Sequence, residues 1–119
     1  MNIQRQKKIA KIMHLALPIL TEMARNKKSK IYYSDLRERV GLKTWWDECN
    51  YLYPALGTLL DAGSMLPVLV VLKRPDNCPW KDVPGQTFWD KVGMSETDWP
   101  TCYRFLEEER QKLFEKYAA

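Results

Sequence analysis

Residues 30–41 have the sequence KIYYSDLRERVG, and this stretch decides how the fold begins. The run from Ile31 to Tyr33 is rich in residues that favour strands, so it predicts a brief strand. Ser34 is a favourable N-cap residue and predicts the start of a short helix. Gly41 predicts its end, because glycine readily adopts the left-handed conformation that follows many helices. A strand that leads directly into a short helix is the first expectation.

A longer helix is expected ahead of this stretch. Apolar side chains recur at helical spacing over residues 3–25, which predicts one amphipathic helix. Pro18 lies inside it and predicts a kink or a restart, because proline has no backbone N–H to donate. The segment is first basic and then apolar, as signal peptides are, but Lys11 and His14 interrupt the apolar part and no small-residue cleavage site follows. We therefore interpret it as a helix of the fold.

A third helix is predicted to begin at Thr44 and to end at Gly63. Thr44 is a good N-cap residue, and acidic residues occupy the first turn that follows it. Pro54 interrupts the pattern, so a kink or a break is expected near residues 50–53. Apolar side chains at helical spacing form the predicted buried stripe of this helix, namely Trp46, Cys49, Leu52, Tyr53, Leu56, Leu59 and Leu60.

The rest of the chain predicts a second strand, a turn and a final helix. Residues 66–72, LPVLVVL, are apolar and too few for a buried helix, so we expect a strand. Residues 73–77, KRPDN, have the composition of a turn. Residues 87–89 are expected to form a return strand or the start of a short helix. A C-terminal helix is predicted over about residues 97–117.

This order of elements is typical of a winged helix-turn-helix domain, in which the turn after the second strand is the wing. The predicted fold class is therefore mainly α with a small β-sheet, a winged helix-turn-helix with an added C-terminal helix. One hydrophobic core is normal for 119 residues, so we expect a single domain over residues 1–119 with its core at about 3–90. Domains of this shape are used mostly to bind DNA.

Two stretches resemble the winged-helix part of the alkylguanine-DNA alkyltransferases. Tyr33, Leu36 and Gly41 match a helix pattern of that family, and the apolar strand LPVLVV follows in the expected order. The family carries its reactive cysteine in a Pro-Cys-His-Arg motif. Here Pro67 is followed by Val68, with neither Cys nor His nearby. Without a thiolate and its activating base, the resemblance implies the fold and excludes the alkyl-transfer chemistry.

A second resemblance covers most of the chain. Small conserved bacterial and phage proteins of unassigned function are similar to it in four short motifs that occur in the same order. The resemblance implies a fold and no activity. The motifs are Leu17-Pro18-Ile19-Leu20, then Tyr33, Leu36 and Gly41, then Pro67, Leu69 and Leu72, and finally Pro84-Gly85-Gln86-Thr87-Phe88.

No catalytic residue, metal site or cofactor is predicted. His14 is the only histidine and falls in the apolar register of the first helix, where a structural role is expected. No glycine pattern for nucleotides, serine-hydrolase motif or zinc-peptidase motif occurs. Cys49, Cys78 and Cys102 are far apart in sequence and lack the spacing of a zinc site. We therefore expect a protein that is not an enzyme.

Charge divides the chain into two unlike parts. Residues 1–43 contain eleven Lys and Arg against three acidic residues, a net +8, whereas residues 44–119 contain eight against twelve, a net −4. A basic face suits a polyanion such as double-stranded DNA, although solvated helix faces also differ in charge without function. The predicted phosphate contacts, on a basic N-terminal face and wing, are Lys7, Lys8, Lys11, Lys27, Lys28, Lys30, Arg37, Arg39, Lys73 and Arg74.

The expected recognition helix does not share this positive charge. No Lys or Arg occurs between Thr44 and Leu72, where Asp47, Glu48 and Asp61 would repel phosphates. An alternative function is therefore a small phage or mobile-element protein that binds a host protein complex and inhibits or regulates it. Its predicted interface consists of Trp45, Asp47, Glu48 and Tyr51, with Trp80 and Trp89 as extensions.

Trp45 has two interpretations. Adjacent residues on a helix point about 100° apart, so Trp45 faces outward if Trp46 joins the core. An outward Trp45 belongs to an interface, because exposed tryptophans are common there. Alternatively, Trp45 packs beneath the C-terminal helix.

The sequence also bears on where the protein is found. No apolar run approaches the ~20 residues that span a bilayer, so no membrane-spanning segment is expected. The three cysteines do not form the close pairs of a disulfide framework, which fits a reducing compartment. A cytoplasmic location is therefore expected, and the oligomeric state stays open.

Overall fold

The computed structural model describes residues 2–78, 81–95 and 98–118. Two strands, β1 (Ile31–Tyr32) and β2 (Val70–Val71), form a parallel sheet in which Ile31 pairs with Val70 and Tyr32 with Val71. A π-helical turn at Glu48–Leu52 joins α3 to α4, and a 3-10 helix at Leu66–Leu69 precedes β2. The α-helices are α1 (Ile3–Arg25), α2 (Tyr33–Arg39), α3 (Trp45–Asp47), α4 (Tyr53–Asp61), α5 (Gln86–Val92) and α6 (Trp99–Lys116).

The predicted fold class, mainly α with a small sheet, is confirmed at that level. None of the helices within the described ranges is long and apolar enough to cross a membrane. The finer assignment to the winged helix-turn-helix fold stays a prediction.

Helix α1 runs without a break through Pro18, so the predicted restart does not occur. Pro18 lies on the exposed side of the helix. Its ring therefore meets solvent, and the missing hydrogen bond leaves a carbonyl that water can reach. The opposite side packs into the core through Ile12, Ala16, Leu20, Met23 and Ala24.

Helix α2 begins at Tyr33, one residue before Ser34. The prediction that Ser34 caps this helix is therefore wrong. Its predicted end at Gly41 is confirmed. Gly41 has φ of +85°, and the N–H of Leu42 donates to the Arg37 carbonyl at 2.9 Å, closing the helix end. This glycine turn directs the chain into α3.

The helix predicted from Thr44 to Gly63 is present as α3, a π-helical turn and α4. Thr44 caps it as predicted, since the N–H of Asp47 donates to Thr44 Oγ1 at 3.1 Å. The predicted irregularity before Pro54 is confirmed and takes the form of the π-helical turn. Proline has no N–H to donate to the carbonyl four residues earlier, so a regular α-helix would lose that hydrogen bond here. A wider turn at this point reduces the loss.

The strand predicted over residues 66–72 is much shorter in the structure. Leu66–Leu69 forms a 3-10 helix, and only Val70–Val71 is a strand. Pro67 explains the difference, because its fixed φ suits the first turn of a helix and it cannot donate to a sheet. Beyond the strand, the N–H of Leu72 donates to the Val83 carbonyl at 2.8 Å, which closes the base of the loop between them.

The C-terminal half completes the core. Of the two alternatives for residues 87–89, the structure has the helix, α5. Trp89 in α5 is fully buried and donates from Nε1 to the Pro84 carbonyl at 3.0 Å. Helix α6 begins at Trp99 after Asp98, whose carboxylate accepts from the Thr101 N–H; the predicted start near residue 97 lies outside the described residues. α6 contributes Cys102, Leu106 and Leu113 to the core.

Candidate nucleic-acid interface

A groove with basic walls lies between the first half of α1, the turn from α2 to α3, and the ring of Tyr51. It encloses about 840 Å³. Its floor includes apolar side chains, among them Ile12, Val40 and Leu42. Five cationic side chains line this space, which we call the basic groove: Arg5, Lys7, Lys8, Lys11 and Lys43.

Three of the predicted phosphate contacts, Lys7, Lys8 and Lys11, belong to the basic groove. Arg5 and Lys43 also line it and were not among the predicted contacts. Lys43 lies between the Gly41 turn and the Thr44 cap, so these two local signals together place it just before the start of α3. What the sequence lacks is the information that this turn packs beside α1.

Lys8 connects the basic groove to an aromatic pair. Its ammonium lies 4.3 Å from the centroid of the Tyr51 ring, a favourable cation–π distance. The Tyr51 ring in turn meets Trp46 edge to face, with centroids 5.9 Å apart. Charge and aromatic surface are therefore continuous from α1 to α3.

Both Trp45 and Trp46 lie on the surface, 68% and 60% exposed. The prediction that Trp46 joins the buried stripe is wrong, and Trp45 does not pack beneath the C-terminal helix. The π-helical turn explains the error, because a wider turn changes the angular phase between α3 and α4. The side-chain amide of Asn50 donates to the Trp46 carbonyl at 2.8 Å and helps to hold this short helix.

Glu48 is not part of this surface, although the interface hypothesis included it. It is 4% exposed, and its carboxylate accepts from the Tyr53 hydroxyl at 2.7 Å and lies 3.5 Å from Arg37 Nη1. Burial, followed by the hydrogen bond to Glu48, raises the pKa of Tyr53. Arg37, a predicted phosphate contact, is therefore turned inward and neutralised.

The other two acidic residues of this region are also engaged. The Asp47 carboxylate accepts weakly from the Lys43 N–H at 3.4 Å and lies at the positive end of α3. Asp61 forms an ion pair with Lys91 at 2.8 Å. Of the carboxylates that argued against nucleic acid in the sequence, Glu48 and Asp61 are thus matched by cations, whereas Asp47 keeps its charge and lines the basic groove.

The remaining predicted contacts lie outside the basic groove. Lys30 forms an ion pair with Asp82 at 2.8 Å, which raises the pKa of the Lys30 ammonium. Lys30 and Lys73 both lie over the ring of Tyr32, at 5.5 and 5.8 Å from its centroid. Arg74 is half-buried. Lys27, Lys28 and Arg39 are exposed.

The tryptophans proposed as extensions of the interface do not reach it. Trp89 is fully buried among aromatic rings, with its centroid 5.0 Å from that of Phe88. Its inclusion in an interface was wrong, because α5 turns this face into the core. Trp80 lies outside the described residues.

A second cavity, of about 320 Å³, is apolar and lies between α4, α5 and the end of β2. Tyr33 and Tyr53 line it, with centroids 5.0 Å apart, and Arg74 stands at its edge. The Tyr33 hydroxyl accepts from the Gly85 N–H at 2.9 Å. Burial raises the pKa of Tyr33 to about 12, so this hydroxyl stays protonated at neutral pH.

Reactive groups are not assembled in the described ranges. Burial, with the charge of Glu48 as a second cause, raises the pKa of the Cys49 thiol, which is the opposite of what activates a nucleophile. Within residues 2–78, 81–95 and 98–118, no three His, Cys, Asp or Glu side chains gather as metal ligands.

Comparison with known proteins adds no relative. No protein-family model, no curated protein and no solved structure matches this chain. The function must therefore be argued from the geometry of the groove.

Proposed function

We propose that this protein is a non-catalytic nucleic-acid-binding domain that holds phosphates in the basic groove. The observation that carries the proposal is the convergence of five cationic side chains on one groove. Like charges brought together repel one another, so such a site is most stable when an anion occupies it. A nucleic acid supplies regularly spaced anions and releases counterions when its phosphates are neutralised.

The groove cations are available for this role. Within the described part of the chain, none of the five takes part in a salt bridge. Elsewhere on the surface, cations such as Lys30, Lys81 and Lys91 are paired with carboxylates. Other exposed cations of the described ranges, among them Lys27, Lys28 and Arg39, also lie outside any salt bridge, so the groove differs from them in bringing five such charges to one space.

The surroundings of α3 support the same function. Glu48 is buried against Arg37, and Asp61 is paired with Lys91. The field at the exposed side of α3 is therefore less negative than its sequence suggests, and phosphates meet less repulsion. We retain the winged-helix interpretation within this proposal, with the turn at residues 73–77 as the tip of the wing. The expected cytoplasmic location is also retained.

The test is fluorescence anisotropy of labelled duplex DNA and labelled single strands, titrated with the protein from about 50 to 300 mM salt. We expect binding to weaken steeply with salt. The logarithm of the binding constant should fall linearly with the logarithm of the salt concentration, with a slope of about −0.9 for each duplex phosphate contacted and about −0.7 for each single-strand phosphate. No binding of any strand at 50 mM salt would contradict the proposal.

A matched pair of variants locates the site. Lys7→Ala/Lys11→Ala/Lys43→Ala removes three charges from the basic groove, and Arg104→Ala/Lys112→Ala/Lys116→Ala removes three exposed charges from α6. The groove variant should lose about 10-fold or more in affinity and show a shallower salt slope. Equal losses in both variants would place the binding outside the groove.

A second candidate function is the binding of a host protein complex by a phage or mobile-element protein. The exposure of Trp45 and Trp46 favours it, since exposed aromatic residues are typical of interfaces. Two parts of that hypothesis are weakened: Glu48 is buried, and the cations of the basic groove border the tryptophan surface instead. Failure of nucleic-acid binding at low salt would make it the leading function.

A further inference from the structure

We infer that the basic groove takes nucleic acid as a single strand, whose unpaired bases stack on Trp45 and Trp46 while its phosphates lie along the groove. The inference rests on the proposed function and narrows it from nucleic acids in general to one class. It assigns the two tryptophans a role as a stacking platform. Stacking of bases on aromatic rings beside a basic channel is the general solution for binding single strands.

The first support is the exposure of two adjacent indoles. Trp45 and Trp46 are 68% and 60% exposed, whereas Trp89 is fully buried. Two large apolar rings in solvent are unfavourable unless a ligand covers them. A base has the flat shape and the size to cover an indole, and every base has such a face.

The second support is the position of this platform at the end of the groove. Lys8 lines the groove and lies 4.3 Å from the centroid of the Tyr51 ring, and Trp46 meets the same ring edge to face, with centroids 5.9 Å apart. Cations for phosphates and rings for bases are thus held side by side. A strand that follows the groove brings its bases to α3.

The third support is that α3 lacks the means to recognise paired bases. Guanine, the base most often contacted in the major groove, is recognised through Arg or Lys, and there is no Lys or Arg between Thr44 and Leu72. One donor of the Asn50 amide is engaged, since it donates to the Trp46 carbonyl at 2.8 Å. In a duplex, moreover, the base faces are stacked on one another and are not offered to an indole.

The platform is also held in place before binding. Thr44 caps α3 through the Asp47 N–H, and Trp46 is braced against Tyr51. A short helix fixed at its start and at its end loses little further entropy when a base stacks on it. Little of the affinity gained by stacking on Trp46 should therefore be lost to ordering of its ring.

The experiment compares a labelled 20-nucleotide oligothymidylate with a labelled duplex of 20 base pairs at one salt concentration. We expect the wild-type protein to bind the single strand more tightly. Trp45→Ala/Trp46→Ala should weaken single-strand binding by at least about 5-fold, the smallest loss expected when a single stacked base is given up, with little effect on the duplex. Its salt slope should equal that of the wild type, because the phosphate contacts remain.

Trp45→Phe/Trp46→Phe is the matched control, since it keeps two stacking rings and should recover most of the lost affinity. Circular dichroism of both variants should show the wild-type fold, as the two side chains lie on the surface. The stacking inference would be overturned if duplex and single strand bound equally and the tryptophan substitutions changed neither affinity. The basic groove would then remain as the site. No binding of either probe would overturn both.

Discussion

The guanidinium of Arg37 and the carboxylate of Glu48 form an ion pair, 3.5 Å between Nη1 and Oε1, that joins α2 to the π-helical turn. Within the described ranges, Glu48 is the one charged residue that is buried. The Glu48 carboxylate also accepts a hydrogen bond from the Tyr53 hydroxyl at 2.7 Å. The ion pair withdraws one carboxylate and one guanidinium from the surface. It also fixes how α2 lies against the start of α4.

Replacing Glu48 with Ala should therefore destabilise the protein. The change leaves the guanidinium of Arg37 largely buried without its carboxylate, and breaking such a pair by removing one partner costs about 3 kcal/mol. Urea unfolding followed by circular dichroism measures the loss. Glu38→Ala, at an exposed position of α2, is the control and should change stability by less than about 0.5 kcal/mol. Similar values for the two variants would show that the pair contributes little.

Gly41 and Gly57 should respond to alanine in opposite directions. Gly41 has φ of +85°, where an alanine is strained by about 1 kcal/mol even though no atom lies within 4 Å of the added Cβ. Gly57 lies inside α4, where the added Cβ would make ordinary contacts, the nearest at 3.5 Å from Lys91 Cε. Alanine there should stabilise by about 0.5–1 kcal/mol, because it restricts the unfolded chain and favours helix. Thermal unfolding of both variants measures the sign of each change in stability. A Gly41→Ala variant as stable as the wild type would contradict the assigned helix end.

Two tryptophans offer a similar contrast between interior and surface. Trp89→Ala removes a fully buried ring that contacts Phe88, Trp99 and Phe105, so a loss of about 3–5 kcal/mol is expected. Trp45→Ala should leave the unfolding free energy within about 0.5 kcal/mol, because its ring is 68% exposed. Denaturant unfolding of both variants measures the difference. A large loss for Trp45→Ala would mean that its ring packs against the fold.

Local signals were enough to predict two helix ends, the start after Thr44 and the end before Gly41, although the predicted cap at Ser34 was wrong. Thr44 and Gly41 act through hydrogen bonds to neighbours in sequence, so the sequence alone predicts them. Pro54 likewise predicts an irregular turn. Pro67 was missed because an apolar run predicts burial well and does not distinguish a strand from a 3-10 turn.

The site was harder to predict, because its geometry depends on contacts between elements. A helical stripe drawn through Trp46 assumes a constant turn, and the π-helical turn breaks that assumption. The burial of Glu48 depends on Arg37, eleven residues away on another helix. Arg5 and Lys43 meet only when α1 packs beside the α2–α3 turn. Charge counts therefore identified the basic half of the chain, and packing determined which cations share a groove.

The buried tyrosines predict a loss of stability in alkali. Burial raises the pKa of Tyr33 to about 12 in the folded protein, above the unfolded value of about 10. A raised pKa means that the contribution to stability is full below pH ~10 and is lost as the pH rises toward ~12. Two pKa units correspond to about 3 kcal/mol, so the free energy of unfolding should fall by roughly that amount across this range from Tyr33 alone.

Tyr33→Phe isolates this effect from the other groups that titrate in alkali. The variant cannot ionise at this position, so its stability should fall less steeply between pH ~10 and ~12. At neutral pH it should be about 1 kcal/mol less stable, because the Gly85 N–H loses its acceptor. The two curves of unfolding free energy against pH, measured by urea unfolding at fixed ionic strength, should therefore cross. The wild type should be the more stable protein at neutral pH, and Tyr33→Phe should be the more stable one near pH ~12. Curves that run parallel would show that the Tyr33 hydroxyl ionises in the folded protein as easily as in the unfolded chain.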